Sequence, residues 1–306
     1  MSDTAPSEFT RELIDELAHD RFRFSAWRRF LSRSWQRSLE DIHASPALTP
    51  SFLWSAAAIA FPGLVISLLS WRYQSNAVAI RSLSMWLPWY LLAVGFVLTH
   101  LGMSDDGAGR RIDHFHAPNQ LSFMRLALAP LVLSPGLALP VHGFSGPVFA
   151  VFAAFLALTD VLDGWIARHT RTGTRLGQML DYLGDLAFLT FLSVGLYLAA
   201  AIPASLLWLL ILRYPVTLVG AMVLYFTRGP AQLGPTTIGR ATTFVLSIVL
   251  LMIAFKLWLS AEWLPAPWLH WAVQGLHVLV GANVVYLIYR GVTWNRKQGK
   301  ATRVRP

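Results

Sequence analysis

An all-α, polytopic membrane protein with about eight transmembrane helices is predicted by three observations: the apolar share of the chain, the spacing of its long apolar runs, and the side on which its basic residues fall. Hydrophobic residues make up 55% of the 306 residues and charged residues 13%, about half the charged share of a soluble domain. Mean hydropathy is +0.50, and many of the 13 Trp lie near the ends of apolar runs. A soluble chain of this size cannot bury so much apolar surface, so the bilayer is part of its solvent. The absence of cysteine excludes a disulfide-stapled secreted scaffold. The net charge of +9 stands beside long apolar runs, where basic residues report membrane topology, so no nucleic-acid partner is expected.

Runs of about 18 or more apolar residues fall at 51–71, 85–103, 119–140, 147–167, 177–201, 205–226, 242–260 and 268–289. With the N-terminus in the cytoplasm and eight alternating spans, 20 of the 25 Lys and Arg lie on the cytoplasmic side. The positive-inside rule then puts both termini there. Trp71, Trp258, Trp263, Trp268 and Trp271 sit where an outer aromatic belt belongs. No apolar run precedes residue 51, so no cleaved signal peptide is expected.

The first fifty residues are Arg-rich, with Phe24, Trp27, Leu31 and Trp35 near helical spacing. An amphipathic helix on the inner membrane surface and a solvated cytoplasmic helix are equally compatible with that pattern. Residues 51–103 carry two spans. A polar linker over 104–117 separates them from a core at 118–290, and a basic tail follows at 291–306. No repeat of fixed period is present. A core of this kind is expected to stand without residues 1–103.

The acids are unevenly placed. From His114 onward there are five, Asp160, Asp163, Asp181, Asp185 and Glu262, and four of them share a window of 26 residues. A carboxylate at the edge of a bilayer costs several kcal/mol unless paired or hydrated, so four together require cations among them. Asp160 and Asp163 are spaced i, i+3 and Asp181 and Asp185 i, i+4, so each pair shares a helix face. Gly173 and the basic residues around it turn the chain back between them. Hard oxygen ligands without Cys or paired His point to Mg²⁺ or Mn²⁺ rather than Zn²⁺, and room for two ions suits phosphoryl transfer. Gly164, Ala167 and Gly177 leave space for a nucleotide, and Arg168 offers a fixed charge to a phosphate.

Asp160-x₂-Asp163-Gly164-x₂-Ala167-Arg168-x₈-Gly177-x₃-Asp181-x₃-Asp185 resembles, at all eight fixed positions, the signature of the CDP-alcohol phosphotransferases. Pro118-Asn119-x₂-Ser122-x₂-Arg125 is similar to the family's Pro-Asn-x₂-Thr-x₂-Arg. Gly239-Arg240-x₂-Thr243 is similar to its Gly-Lys-x₂-Thr. The resemblance covers the 118–290 core and implies six helices, with the acids on the second and third.

The resemblance also implies transfer of a phosphatidyl or related group from a CDP-linked lipid to an alcohol, with release of CMP. Asp160, Asp163 and Asp181 would be metal ligands, and Asp185 a ligand, the general base, or both. Asn119, Ser122, Gly164, Ala167 and Gly177 would line the CDP site, with Arg168 near the donor phosphates. Arg213 lies mid-span, where an Arg is functional by default. It is expected with Arg240 around a phosphate on the acceptor; its alternative is an ion pair with one of the four Asp. Leu186 and Tyr214 stand where many relatives with phosphorylated acceptors have Lys and an acid. The acceptor therefore leans only weakly to glycerol 3-phosphate or another phosphorylated polyol, against serine, ethanolamine or a plain polyol. A cation transporter is the non-enzymatic rival, but it leaves the eight-residue motif unexplained. Phospholipid synthesis in a bacterial inner membrane, with the site cytoplasmic, follows from the resemblance, and homodimers are common among relatives.

Overall fold

The computed structural model describes residues 23–73, 75–101, 113–134, 145–170, 172–216, 237–259 and 265–302, with Ser104 and scattered positions before residue 23. Every regular element among them is helical. Helix α1 spans Phe24–Ala44, α2 Leu48–Tyr73 and α3 Asn76–His100. Helix α4, Ala117–Leu128, tightens into a 3₁₀ segment over Ala129–Leu133. Then come α5 (Ser145–Thr170), α6 (Arg175–Leu198) and α7 (Ala204–Ile211), which passes into a π turn over Leu212–Val216. Helices α8 (Thr237–Trp258) and α9 (Ala266–Thr302) follow.

Six helices (α2, α3, α5, α6, α8 and α9) are long and apolar enough to cross a membrane. The expected spans at 119–140 and 205–226 are only partly described. Their described parts are α4 with its 3₁₀ extension and α7 with its π turn. Six spans lie wholly within the described residues, and the other two expected spans are described only in part. Pro130 explains the change of winding in α4, because it cannot donate to a carbonyl in the preceding turn. Elsewhere the caps follow from the sequence. Ser75 accepts from the Val78 amide at 3.2 Å at the start of α3, and Thr174 accepts from the Gly177 amide at 2.8 Å at the start of α6.

Pro62 and Pro88 lie inside α2 and α3 without ending them. Gly63 is a point of close approach: the Trp86 ring occupies the place where a Cβ would stand. Trp71 and Trp271 are exposed, as an aromatic belt requires, whereas Trp258 is buried and its carbonyl lies against Gly146.

One apolar cluster runs from Phe52 of α2 and Trp86 of α3, through Phe123 and Leu128 of α4, to Leu156, Leu189, Leu250 and Val280 of later helices. The α2–α3 hairpin therefore shares the core. Helix α4 is central, packed against both α5 and α6. Gly184 and Gly195 of α6 allow that approach: a Cβ on Gly184 would lie 3.2 Å from the Ser122 carbonyl oxygen, and one on Gly195 3.3 Å from Leu133 Cα. Helix α1 is tied to α3 by the Ser38 hydroxyl, which donates to the Thr99 carbonyl at 3.0 Å. Phe24, Leu31 and Trp35 remain exposed on it.

Candidate active site

Four carboxylates and one guanidinium meet where α4, α5 and α6 pack together. Asp160 and Asp163 are spaced one turn apart on α5, and Asp181 and Asp185 one turn apart on α6. They stand six to ten residues from the facing helix ends at Thr170 and Arg175, about 9–15 Å along the axes. Arg125 of α4 enters between the pairs with its side chain 1% exposed. Its Nη1 lies 3.1 Å from Asp160 Oδ1 and its Nε 3.2 Å from Asp185 Oδ1. Its Nη2 lies 3.4 Å from Asp163 Oδ2 and also pairs with Asp181 Oδ1.

A single side chain thus contacts all four acids, and sequence reasoning did not assign it that place. Arg125 stood only as the last position of the Pro-Asn motif, while Arg213 was weighed as the ion-pair partner. The available signal was an Arg three residues after Ser122 in an otherwise apolar run. Ser122 contributes as well: its hydroxyl donates to Asp163 Oδ2 at 2.7 Å, which fixes the most enclosed of the four carboxylates. Asp160 and Asp181 are about half exposed, so the cluster opens on their side.

Four formal negative charges here face one positive charge. Ligand oxygens of Asp160, Asp163 and Asp181 come within 4.8 Å of one another. An all-oxygen donor set with uncompensated negative charge fits a hard divalent cation such as Mg²⁺ or Mn²⁺. Asp185 lies outside that group of three but shares the same guanidinium.

The remaining residues of the motif form a rim. The Thr174 hydroxyl donates to Asn119 Oδ1 at 3.0 Å, so one threonine links α4 to the start of α6. A Cβ on Gly177 would run into Asn119 Oδ1, so only glycine lets this joint close. Asn119 is buried, and its Nδ2 has no hydrogen-bond partner among the described residues. On α5 the Arg168 guanidinium folds back over Gly164, with Nη1 3.1 Å from where a Cβ would stand. Ala167 is half-buried between them in sequence.

Arg213 belongs to a second cluster. It is buried at the π turn and pairs with none of the four Asp among the described residues. It donates to Asn283 Oδ1, to Thr243 Oγ1 at 2.9 Å and to the Gly239 carbonyl at 3.3 Å. Asn283 Nδ2 reaches Thr242 Oγ1 at 3.4 Å. The guanidinium also lies 5.0 Å from the centroid of the Tyr214 ring. Sequence reasoning missed Asn283, which is 70 residues away in the chain. Arg240 is on the first turn of α8; its side chain lies outside the described residues.

The family model for CDP-alcohol phosphatidyltransferases matches residues 115–282. A CDP-diacylglycerol–glycerol-3-phosphate 3-phosphatidyltransferase of Aquifex aeolicus is 33% identical over 140 residues, which cover 45% of this chain and 75% of that protein. A CMP-forming cardiolipin synthase of Homo sapiens is 38% identical over 97 residues, 31% of each chain. No solved structure matches.

Proposed function

Because this chain belongs to the CDP-alcohol phosphatidyltransferase family, we propose that it transfers the phosphatidyl group of CDP-diacylglycerol to a hydroxyl of a phosphorylated polyol such as glycerol 3-phosphate, with release of CMP. The observation that carries this reading is the convergence of Asp160, Asp163, Asp181 and Asp185 on Arg125.

In this reading the acceptor oxygen forms a bond to the phosphorus that carries the lipid. The bond from that phosphorus to the CMP oxygen breaks, and its electron pair leaves with CMP. Asp185 takes the hydroxyl proton: Arg125 engages its Oδ1, and the other carboxylate oxygen receives the proton. Two Mg²⁺ or Mn²⁺ ions, held by Asp160, Asp163, Asp181 and Asp185, would supply positive charge against the donor's diphosphate. Arg125 keeps the four carboxylates gathered, and Ser122 orients Asp163. Asn119, Ser122, Gly164, Ala167 and Gly177 line the CDP pocket, with Arg168 at the phosphates. The unpaired, buried Nδ2 of Asn119 supports a polar ligand there.

Arg213, with Arg240, binds the acceptor phosphate. Arg213 Nε and the Tyr214 hydroxyl are both buried without a hydrogen-bond partner among the described residues, and an anionic group would satisfy both. The relative named for glycerol 3-phosphate supports the same acceptor class. The enzyme is placed in the inner membrane with its site and both termini cytoplasmic, because CDP and CMP are water-soluble and the basic residues gather on that side.

Purified protein in lipid-doped detergent, given CDP-diacylglycerol, Mg²⁺ or Mn²⁺ and a panel of acceptors, tests this. The panel holds glycerol 3-phosphate, inositol phosphate, serine, ethanolamine and a phospholipid with a free glyceryl headgroup. CMP release with a phosphorylated polyol alone is expected. Release with serine or ethanolamine alone would overturn the acceptor assignment, and release with the lipid alone would move the acceptor into the bilayer.

A further inference from the structure

The α2–α3 hairpin, which precedes the family match at residue 115, reaches the back of the helix that carries Arg125. Pro130 has no N–H. It therefore removes the α-helical donor to the Leu126 carbonyl, four residues back, and the 3₁₀ donor to the Ala127 carbonyl, three residues back. Two indoles of α3 take those places. Trp89 Nε1 donates to the Leu126 carbonyl at 2.8 Å, and Trp86 Nε1 to the Ala127 carbonyl at 3.1 Å. Leu126 and Ala127 are buried, and no water at membrane depth could serve instead.

The hairpin is itself fixed against the core. The Tyr90 hydroxyl donates to the Ala56 carbonyl at 2.7 Å, Trp86 packs over Gly63, and Ser51 Oγ accepts from the Phe115 amide at 2.8 Å. Phe52 meets Phe115 and Phe123 edge-on, with centroids 5.1 and 5.3 Å apart. Trp89 also stands edge-on to Phe191 of α6 at 5.1 Å, so one ring spans α3, α4 and the helix that carries Asp181 and Asp185.

We infer that Trp86 and Trp89 are positioning residues of the transferase: their indole N–H groups complete the hydrogen bonding of α4 where Pro130 breaks it, and so hold Arg125, the residue before Leu126, among the four aspartates. This rests on the transfer reading above. It also assigns the two spans outside the family core a part in the active site.

The test compares the full-length protein with W86F/W89F, W89F, P130A and W89F/P130A. Phenylalanine keeps a ring and removes the donor; alanine at 130 restores a backbone N–H. CMP release is read as kcat and as KM for the CDP-lipid. Backbone hydrogen exchange is read over residues 119–133 in the same samples. The expected result is a kcat at least tenfold lower in W86F/W89F with KM within twofold, faster exchange in α4, and recovery of W89F by P130A to within threefold of wild type. Unchanged kcat and exchange in W86F/W89F would overturn the inference, as would a loss in W89F that P130A leaves untouched, since that would mean the rings act by volume alone. Wild-type protein silent with every acceptor would instead sink the transfer reading, and exchange in α4 with its P130A rescue would still decide this one.

Discussion

The Ser122 hydroxyl donates to Asp163 Oδ2 at 2.7 Å, one turn of α4 before Arg125 and on the same buried carboxylate that Arg125 Nη2 approaches. One short segment thus supplies both the neutral donor and the cation that hold this acid in place. Ser122→Ala is expected to cost about 1 kcal/mol of stability and to lower CMP release at least tenfold. Ser122→Thr, which keeps the hydroxyl, is expected to stay within threefold of wild type. Parallel melting curves and initial rates check this.

Arg125 carries the only positive charge found among the four acids in the described residues. Arg125→Met keeps bulk and removes charge, leaving carboxylates packed without their cation. Breaking a buried pair in this way costs about 3–5 kcal/mol. Thermal unfolding with and without Mg²⁺ is the measurement: the variant should melt well below wild type and recover part of the difference when Mg²⁺ is added.

Cation removal is expected to act through the same oxygens. Chelation should abolish CMP release, and added Mg²⁺ or Mn²⁺ should restore it and raise the melting temperature. In Asp160→Asn/Asp181→Asn, two of the three oxygens that lie within 4.8 Å of one another belong to neutral amides, and the melting temperature should no longer respond to either ion.

Gly177→Ala places a methyl group against Asn119 Oδ1 and 3.0 Å from Thr174 Oγ1. The joint between α4 and α6 must open, with Asn119 displaced from the proposed CDP pocket. KM for the CDP-lipid is expected to rise about tenfold, the equivalent of one to two lost hydrogen bonds, with KM for the acceptor unchanged. Donor and acceptor titrations separate the two.

Asn283→Ala frees the Arg213 guanidinium from its partner on α9. The expected result is the mirror image: KM for the acceptor rises about tenfold, the scale of one charge-assisted hydrogen bond, while KM for the donor holds. Asn283→Asp should weaken the acceptor further, because a carboxylate would pair with Arg213 and compete with the phosphate.

The four aspartates were legible in the sequence because i, i+3 and i, i+4 spacings translate directly into helix faces and because so few other acids accompany them. Glycine's part at 177 was legible as space, though not which atom fills it. Arg125 was not legible as the centre, since its place depends on how α4 packs between two helices whose acids lie 35 to 60 residues downstream. Asn283 and Trp89 were missed for the same reason: a hydrogen bond across 70 or 37 residues leaves no local period. Within the 119–140 run, hydropathy does not register which donors replace the missing N–H of Pro130. Pro130 changes the winding there, and with it the partner that α4 needs.

The most direct test of the transfer reading is CMP release by Asp185→Asn beside wild type, with CDP binding measured on the same preparations. The amide keeps the shape of the carboxylate and an oxygen for Arg125, but it cannot take the acceptor's proton. Loss of about 10²–10⁴-fold in rate with CDP binding retained is the predicted result. Release within tenfold of wild type would contradict the assignment of Asp185 as the base.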